Sequence, residues 1–300
     1  MVNTKSIPTI LLTASLFGGD EGTSKFRVNV DMVQLRAAVT DSAGHYIRDL
    51  TLRDFRVFEN GAEQKVRFVA TPANPEAAAT TVFVLFDTSN RMYGSFVYAE
   101  DAIANFIRQL APADPVAVYS FSRNVTRLAR ATLDRITALI GLRHAVSGDE
   151  TALYDAILVT VRDAAKVSGN KVVVVFSDGP DTSSILAPEQ VRSVAEDEGV
   201  PIYVVSTRQH NELLTAAFQE LTQNTGGKTY FATQWQQQRL AFEAIDEDLK
   251  NSYVISYYPQ GGDSTAFRKI EVQIVGDDGH AYRIRTRSGY RPVQLSEPTQ

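Results

Sequence analysis

The sequence predicts an α/β protein: a doubly wound, mostly parallel sheet with helices on both faces, flanked by β segments. Three observations lead there. The runs Val-Phe-Val-Leu-Phe at 82–86 and Val-Val-Val-Val-Phe at 172–176 are apolar throughout and too short for buried helices, so they read as strands covered on both faces. Between and after them, strand-length runs alternate with segments of helical period, the pattern of a parallel sheet with crossover helices. Toward both ends of the chain the period falls to two, as in half-buried antiparallel strands.

In chain order, Phe26, Val28 and Val30 alternate, and residues 33–39 continue in the same style. Asp41-Ser42-Ala43-Gly44 reads as a turn. Residues 55–58 and 64–69 flank Asn60-Gly61, a strong hairpin signal because both turn positions favour positive φ. Residues 71–79, rich in Pro and Ala, read as a linker. The strand ending at Asp87 is followed by a helix over 95–110, with Phe96, Ala99, Ile103, Phe106 and Ile107 on one face. Strands follow at 116–121 and at 125–129, the latter at an edge. Helices are expected at 133–142 and 151–167, then the strand at 172–176. A helix at 188–198 starts on Pro188, as first turns allow. A strand at 202–205, a helix at 213–225 capped by Gly226-Gly227, a strand at 228–231 and a helix at 236–250 complete the α/β part. Strands then return at 252–258, at Ile270, Val272 and Ile274, and around Tyr282, Ile284 and Thr286.

The simplest disposition of the end segments is one small β-sandwich into which the α/β domain is inserted; two separate hairpins are the alternative, but isolated hairpins are marginal. The expected divisions are 1–24 (export signal or disordered tail), 25–75 (first part of the sandwich), 80–250 (α/β domain), 251–293 (second part) and 294–300 (tail).

The bulk numbers fit such a chain. Three hundred residues can bury a substantial core, and 44% apolar with 22% charged residues argues against disorder. A net charge of −5 gives no reason to propose nucleic acid as a partner. With no cysteine, disulfides, thiol catalysis and Cys-based metal sites are excluded. Lys5 precedes a mostly apolar stretch at 7–17, which reads either as a short secretory signal without a clean cleavage site or as a tail; the signal reading places the protein outside the cytoplasm, secreted or in the envelope. No later run is long and apolar enough to form a transmembrane helix.

In a doubly wound sheet, ligands bind beyond the carboxyl ends of the strands where the strand order reverses. Asp87 ends one buried strand and Asp178 ends the other, so with the common order both carboxylates face one crevice. Ser89 lies just past Asp87, and Thr151, opening a helix, can point its hydroxyl the same way. Two carboxylates and two hydroxyls are hard oxygen donors, suited to Mg²⁺, Mn²⁺ or Ca²⁺ rather than zinc.

These residues resemble the metal-ion-dependent adhesion site of von Willebrand factor A-type domains, a Rossmann-like fold whose pattern is D-x-S-x-S, a distant T and a distant D. Here it reads Asp87-Thr88-Ser89-Asn90-Arg91, then Thr151, then Asp178. The flanks resemble the bacterial VWFA-related family first described from Acidobacteria. Asp54-Phe55-Arg56-Val57-Phe58-Glu59-Asn60-Gly61 matches its D-F-x-V-x-E-x-G motif, and Arg287-Ser288-Gly289-Tyr290 its closing R-x-G-Y. The resemblance runs over about residues 26–292. It implies a non-catalytic metal held by Asp87, Ser89, Thr151 and Asp178, with few charged ligands, whose coordination is completed by an Asp or Glu of a partner protein. Asn90, Arg91, Asp149 and Asp181 are candidates for residues that surround or modulate the site.

Arg91 departs from the pattern. It stands where the second serine belongs, and a guanidinium has only donors. Pointing inward it would repel the cation and pair with Asp87 or Asp178; turned to solvent it would leave room for water, which Mg²⁺ commonly keeps. Weaker affinity than in a complete motif is expected. Asp149 and Glu150 either add negative charge or form a solvated helix start, and Asp181 is either a supporting acceptor or a loop residue.

Three function classes follow. The leading one is a metal-assisted protein-binding or adhesion module and not an enzyme. A second is a metal-free structural or assembly protein, which Arg91 favours. The third is a Mg²⁺-dependent phosphotransferase or hydrolase. Against it, Ser89 stands where an aspartyl-phosphate enzyme wants a second carboxylate, and residues 87–94 lack a Gly-rich phosphate loop.

Overall fold

A computed structural model describes residues 32–74, 79–208, 212–260, 266–276 and 282–292. The expected strand at 26–30, the export-signal candidate and the Asp277-Asp278-Gly279 turn lie outside the described residues.

Four strands come first: β1 (Val33–Asp41), β2 (Phe55–Glu59), β3 (Ala62–Gln64) and β4 (Val66–Ala70). Asn60 and Gly61 adopt φ of 48° and 82°, and β2 pairs antiparallel with β3 across them, as a two-residue hairpin turn requires. The hairpin partner is shorter than expected. It stops at Gln64, and Lys65 carries the chain across to the other sheet, where β4 pairs with a late strand. The buried Gln64 side chain fixes this corner by accepting the backbone N–H of Gln260 at 2.8 Å.

The α/β part contains β5 (Thr80–Asp87), α1 (Phe96–Gln109), β6 (Val116–Phe121), β7 (Val125–Thr132), α2 (Arg135–Arg143), α3 (Leu153–Ala165), β8 (Asn170–Ser177), α4 (Pro188–Asp197), β9 (Ile202–Ser206), α5 (Glu212–Thr225), β10 (Thr229–Phe231) and α6 (Trp235–Asn251). Its six-stranded sheet runs β10-β9-β8-β5-β6-β7, parallel except for the antiparallel edge strand β7. Every residue of β5 is buried. Val82, Val84 and Phe86 enter the core shared with α1, α2 and α6; Phe83 and Leu85 enter the one shared with α3, α4 and α5. Period-two alternation thus serves two apolar layers, which is why the run carries no polar face. Phe176 stacks on Phe242, and Phe242 on Phe106, at centroid distances of 5.6 and 5.0 Å, locking α6 and α1 to the sheet.

The chain ends with β11 (Tyr253–Tyr257), β12 (Arg268–Ile274), β13 (Tyr282–Arg285) and β14 (Gly289–Tyr290). Two four-stranded sheets, β13-β1-β11-β4 and β14-β12-β2-β3, share one apolar core and form the sandwich from both chain ends. The Glu of the D-F-x-V-x-E-x-G string, Glu59, sits inside it, 4% exposed. It accepts hydrogen bonds from Tyr257 and Tyr290 hydroxyls, each at 2.8 Å, and from Arg268 at 3.1 Å, so it ties β11 of one sheet to β2, β12 and β14 of the other. A buried carboxylate is tolerable only with this degree of pairing.

Sandwich and α/β layers are joined by charge. Asp248 on α6 is fully buried and accepts from Tyr46 at 2.9 Å, from Tyr203 and from Arg285 on β13. Arg287 lies over the Tyr290 ring at 5.0 Å and donates to the Glu196 carbonyl at 3.0 Å. The Ser288 hydroxyl donates to the Glu196 carboxylate at 2.6 Å.

Candidate metal centre

The strand order reverses at β5. Strands β6 and β7 continue to one side of it, and β8, β9 and β10 to the other. The pair β5·β8 is in register with Phe86 opposite Phe176, so Asp87 and Ser177 end neighbouring strands and Asp178 comes one residue later. The two carboxylates therefore share the carboxyl-end crevice, as the sequence predicts.

Asp87 is completely buried. One carboxylate oxygen accepts the Ser89 N–H at 2.9 Å, and the other the Ser177 hydroxyl at 2.6 Å. Burial pushes its carboxyl above the ordinary value, against which the Ser177 and Ser89 hydrogen bonds and the Arg91 charge pull down. Asp178 is half-buried, and its Oδ1 is buried with no partner among the described residues. Its pKa is pushed up to about 6, first by burial and then by the Asp87 charge, with Arg91 and Arg208 opposing. The effect of Asp87 on Asp178 is the electrostatic sign of two carboxylates in one crevice.

Ser89 is 1% exposed, and its hydroxyl has no hydrogen-bond partner of ordinary geometry although it lies near enough to Asp87 to favour the charged form. Its backbone is bridged to Gly148, whose N–H donates to the Thr88 carbonyl at 2.8 Å, so the loop before α3 is pinned to the end of β5. A side chain at Gly148 would meet Ser122 Oγ at 2.1 Å. That loop delivers Thr151, 1% exposed, whose backbone N–H and carbonyl are held by Thr182 and Ser183 of the loop after β8.

Arg91 is exposed, in the 3-10 turn Asn90–Ser95, and among the described residues it forms no ion pair with Asp87 or Asp178. Of the two orientations open in the sequence, the structure has the outward one. Asn90 is exposed beside it. Glu150 does not face the crevice: it pairs bidentately with Arg123 at 2.6 and 2.9 Å, while Asp149 is exposed nearby. Asp181 caps α3, accepting the Leu153 N–H at 2.8 Å and the Ser184 hydroxyl at 2.5 Å. Asp155 on α3 accepts the N–H groups of Ile185 and Leu186, so it anchors the loop after β8. No histidine described lies at the crevice: His45 contacts Asp41, and His144 the Ile140 carbonyl.

Two serines here escaped the sequence reading. Ser177 orients Asp87, and Ser206, opposite it on β9, ends its strand with a buried hydroxyl that has no partner among the described residues. Each closes a buried strand, and that position was the available signal.

Buried Ser89 Oγ and Asp178 Oδ1 without partners, next to a buried Asp87, make an all-oxygen set short of a positive charge. Such a set fits a hard divalent cation held through Asp87, Ser89, Thr151 and Asp178. Among the described residues no group of three or more His, Cys, Asp or Glu forms a more charged alternative.

A doubly wound sheet with strand-end carboxylates and hydroxyls at its switch point defines the class. The chain belongs to the von Willebrand factor type A domain family, whose model matches residues 81–244. No curated protein matches the chain. Among solved structures, BatB from Bacteroides thetaiotaomicron is 17% identical, covering 58% of this chain and all (100%) of its own, with a TM-score of 0.48. The vWF domain of the type V pili tip protein Mfa5 from Porphyromonas gingivalis is 11% identical over 56% of this chain and 94% of its own, at 0.49. A von Willebrand factor type A protein from Catenulispora acidiphila is 10% identical over 90% of this chain and 76% of its own, at 0.47. No helix among the described residues is long and apolar enough to cross a membrane.

Proposed function

We propose that the crevice binds a divalent cation, Mg²⁺ or Mn²⁺ before Ca²⁺, and that the loaded site captures a carboxylate of a partner protein, so the chain acts as an adhesion or assembly module and not as an enzyme. The observation that carries this is Asp178 Oδ1, buried with no hydrogen-bond partner among the described residues, together with buried Ser89 Oγ, which makes none of ordinary geometry, beside a buried Asp87 whose charge raises the cost of ionising Asp178. A buried oxygen without a hydrogen bond costs about 1–3 kcal/mol, and a bound cation would offset that cost for both groups. Two carboxylates only balance a divalent ion, so it remains a Lewis acid toward an incoming oxygen ligand; the hydroxyls of Ser89 and Thr151 orient it without adding charge.

A metal-free structural role is the second reading. Arg91 and Arg208 favour it, because their charges already ease the ionisation of Asp178. Calorimetric titration separates the two. Mn²⁺ binding at micromolar to millimolar concentration, lost in Asp87→Ala, supports the metal reading; no heat at millimolar Mn²⁺ or Mg²⁺ leaves the structural one. Phosphatase or nucleotidase turnover abolished by Asp87→Ala would instead make the chain an enzyme.

A further inference from the structure

Four loops meet at the carboxyl edge around Asp87 and Asp178: the turn after β5, the loop before α3, the loop after β8 and the segment after β9. Two of them carry arginines. Arg91 is exposed and has no ion pair among the described residues. Arg208 is exposed, donates from Nη1 to the Gly179 carbonyl at 3.3 Å, and is likewise without an acidic partner among the described residues. The other two loops carry Val146 and Ile185, 77% and 93% exposed.

This edge has an unusual charge balance for a chain of net −5. A divalent ion would neutralise Asp87 and Asp178; of the other charges on these loops, Glu150 is paired with Arg123, Asp149 lies near that same Arg123 and Asp181 caps α3, so Arg91 and Arg208 are the positive charges left without an acidic partner among the described residues. One incoming carboxylate cancels one of them. A second carboxylate on the same ligand cancels the other, and Arg91 is the group placed to receive it. Among the described residues its side chain has no competing ion-pair partner, and its planar fork can bind a carboxylate through two parallel hydrogen bonds. Arg208 is less free, being tied to Gly179, and contributes mainly its field. Val146 and Ile185 add apolar surface on the same edge, which suits a protein segment better than a small ion.

We propose that Arg91, standing where the family's second serine belongs, is a specificity-determining residue that makes this site select a protein segment bearing two neighbouring carboxylates, one for the cation and one for the guanidinium. The inference rests on the metal reading above. It is separate in content: metal binding concerns Asp87, Ser89, Thr151 and Asp178, whereas selection concerns Arg91.

The test uses glutarate and butyrate, a dicarboxylate and a monocarboxylate of similar length, titrated into Mn²⁺-loaded protein and followed by water-proton relaxation of the bound Mn²⁺ together with calorimetry. Wild type is predicted to bind glutarate about tenfold more tightly than butyrate, the size of one charge-assisted hydrogen-bonded contact. Arg91→Ser brings the two ligands to within about twofold while Mn²⁺ binding persists or tightens. Arg91→Lys, which keeps the charge and loses the fork, falls between them. Equal binding of the two probes by wild type, no binding of either to the loaded protein, or a preference that survives Arg91→Ser overturns the inference and leaves the metal reading standing. Failure of Mn²⁺ itself to bind removes both, and the relaxation signal distinguishes that case. Arg91 is exposed and forms no ion pair among the described residues, so its variants are expected to fold.

Discussion

At the scale of single residues, the crevice carries an electrostatic cost. Asp178 keeps a buried oxygen without a partner next to the buried charge of Asp87. Asp178→Asn removes the like-charge repulsion, so the metal-free protein should melt about 2–4 °C higher at pH 7, the equivalent of about 1 kcal/mol in a chain of this size. The sign with pH follows from the raised pKa of about 6. Above it the folded wild type carries the unfavourable charge; as pH falls through 6 the carboxyl takes up its proton and the advantage of the variant shrinks. Melting curves of both proteins in chelator at pH 7 and pH 5 check this, and an advantage that grows on acidification would contradict it. Arg91→Ser restores a hydroxyl and removes a nearby cation. It should tighten divalent binding by about three- to tenfold in calorimetry; unchanged affinity would mean that Arg91 lies too far out to be felt.

At the scale of elements, the R-x-G-Y string at the end of the sandwich has a steric requirement. A Cβ on Gly289 would stand 2.3 Å from the Arg268 carbonyl, a backbone atom that cannot turn aside. Gly289→Ala should therefore prise β14 from β12 and with it Tyr290 from Glu59, costing about 2 kcal/mol or more. A urea midpoint within error of wild type would remove this argument. The same elements mark how far sequence could be read. Val-rich β5 and β8 were legible because burial on both faces leaves no polar position to confuse the period. Asn60-Gly61 was legible because its turn chemistry is local. The crossing at Lys65 was not, since the run 64–69 is continuous in β propensity and only the distant Gln260 reveals where it changes sheet. Asp87, Ser89, Thr151 and Asp178 were placed by strand-end logic, whereas Ser177, the capping role of Asp181 and the direction of Arg91 depend on partners dozens of residues away.

At the scale of the whole molecule, the inserted α/β layers and the sandwich hold each other through Asp248. Burial alone would raise its carboxyl, but the Arg285 charge and the hydrogen bonds from Arg285 and Tyr203 outweigh that and hold it below the ordinary value. A depressed folded pKa means the contribution is complete above the unfolded value of about 4 and is lost as pH falls through the folded one. The stability gap between wild type and Asp248→Asn should be constant from pH 7 to about 5 and narrow in urea melts below about pH 4. A gap that widens on acidification would contradict the pairing. Arg285→Met leaves Asp248 buried without its cation and should cost about 3–5 kcal/mol, lowering one shared unfolding transition and not only that of the sandwich.

The most direct test of the central claim, that this edge holds a cation, is a crystal structure of the protein soaked in Mn²⁺. The account predicts an anomalous peak about 2.0–2.2 Å from oxygens among Asp87, Ser89, Thr151 and Asp178, with waters filling the remaining positions and Arg91 turned outward. No peak at millimolar Mn²⁺, with the Arg91 guanidinium folded in to pair with Asp87 or Asp178, would contradict it.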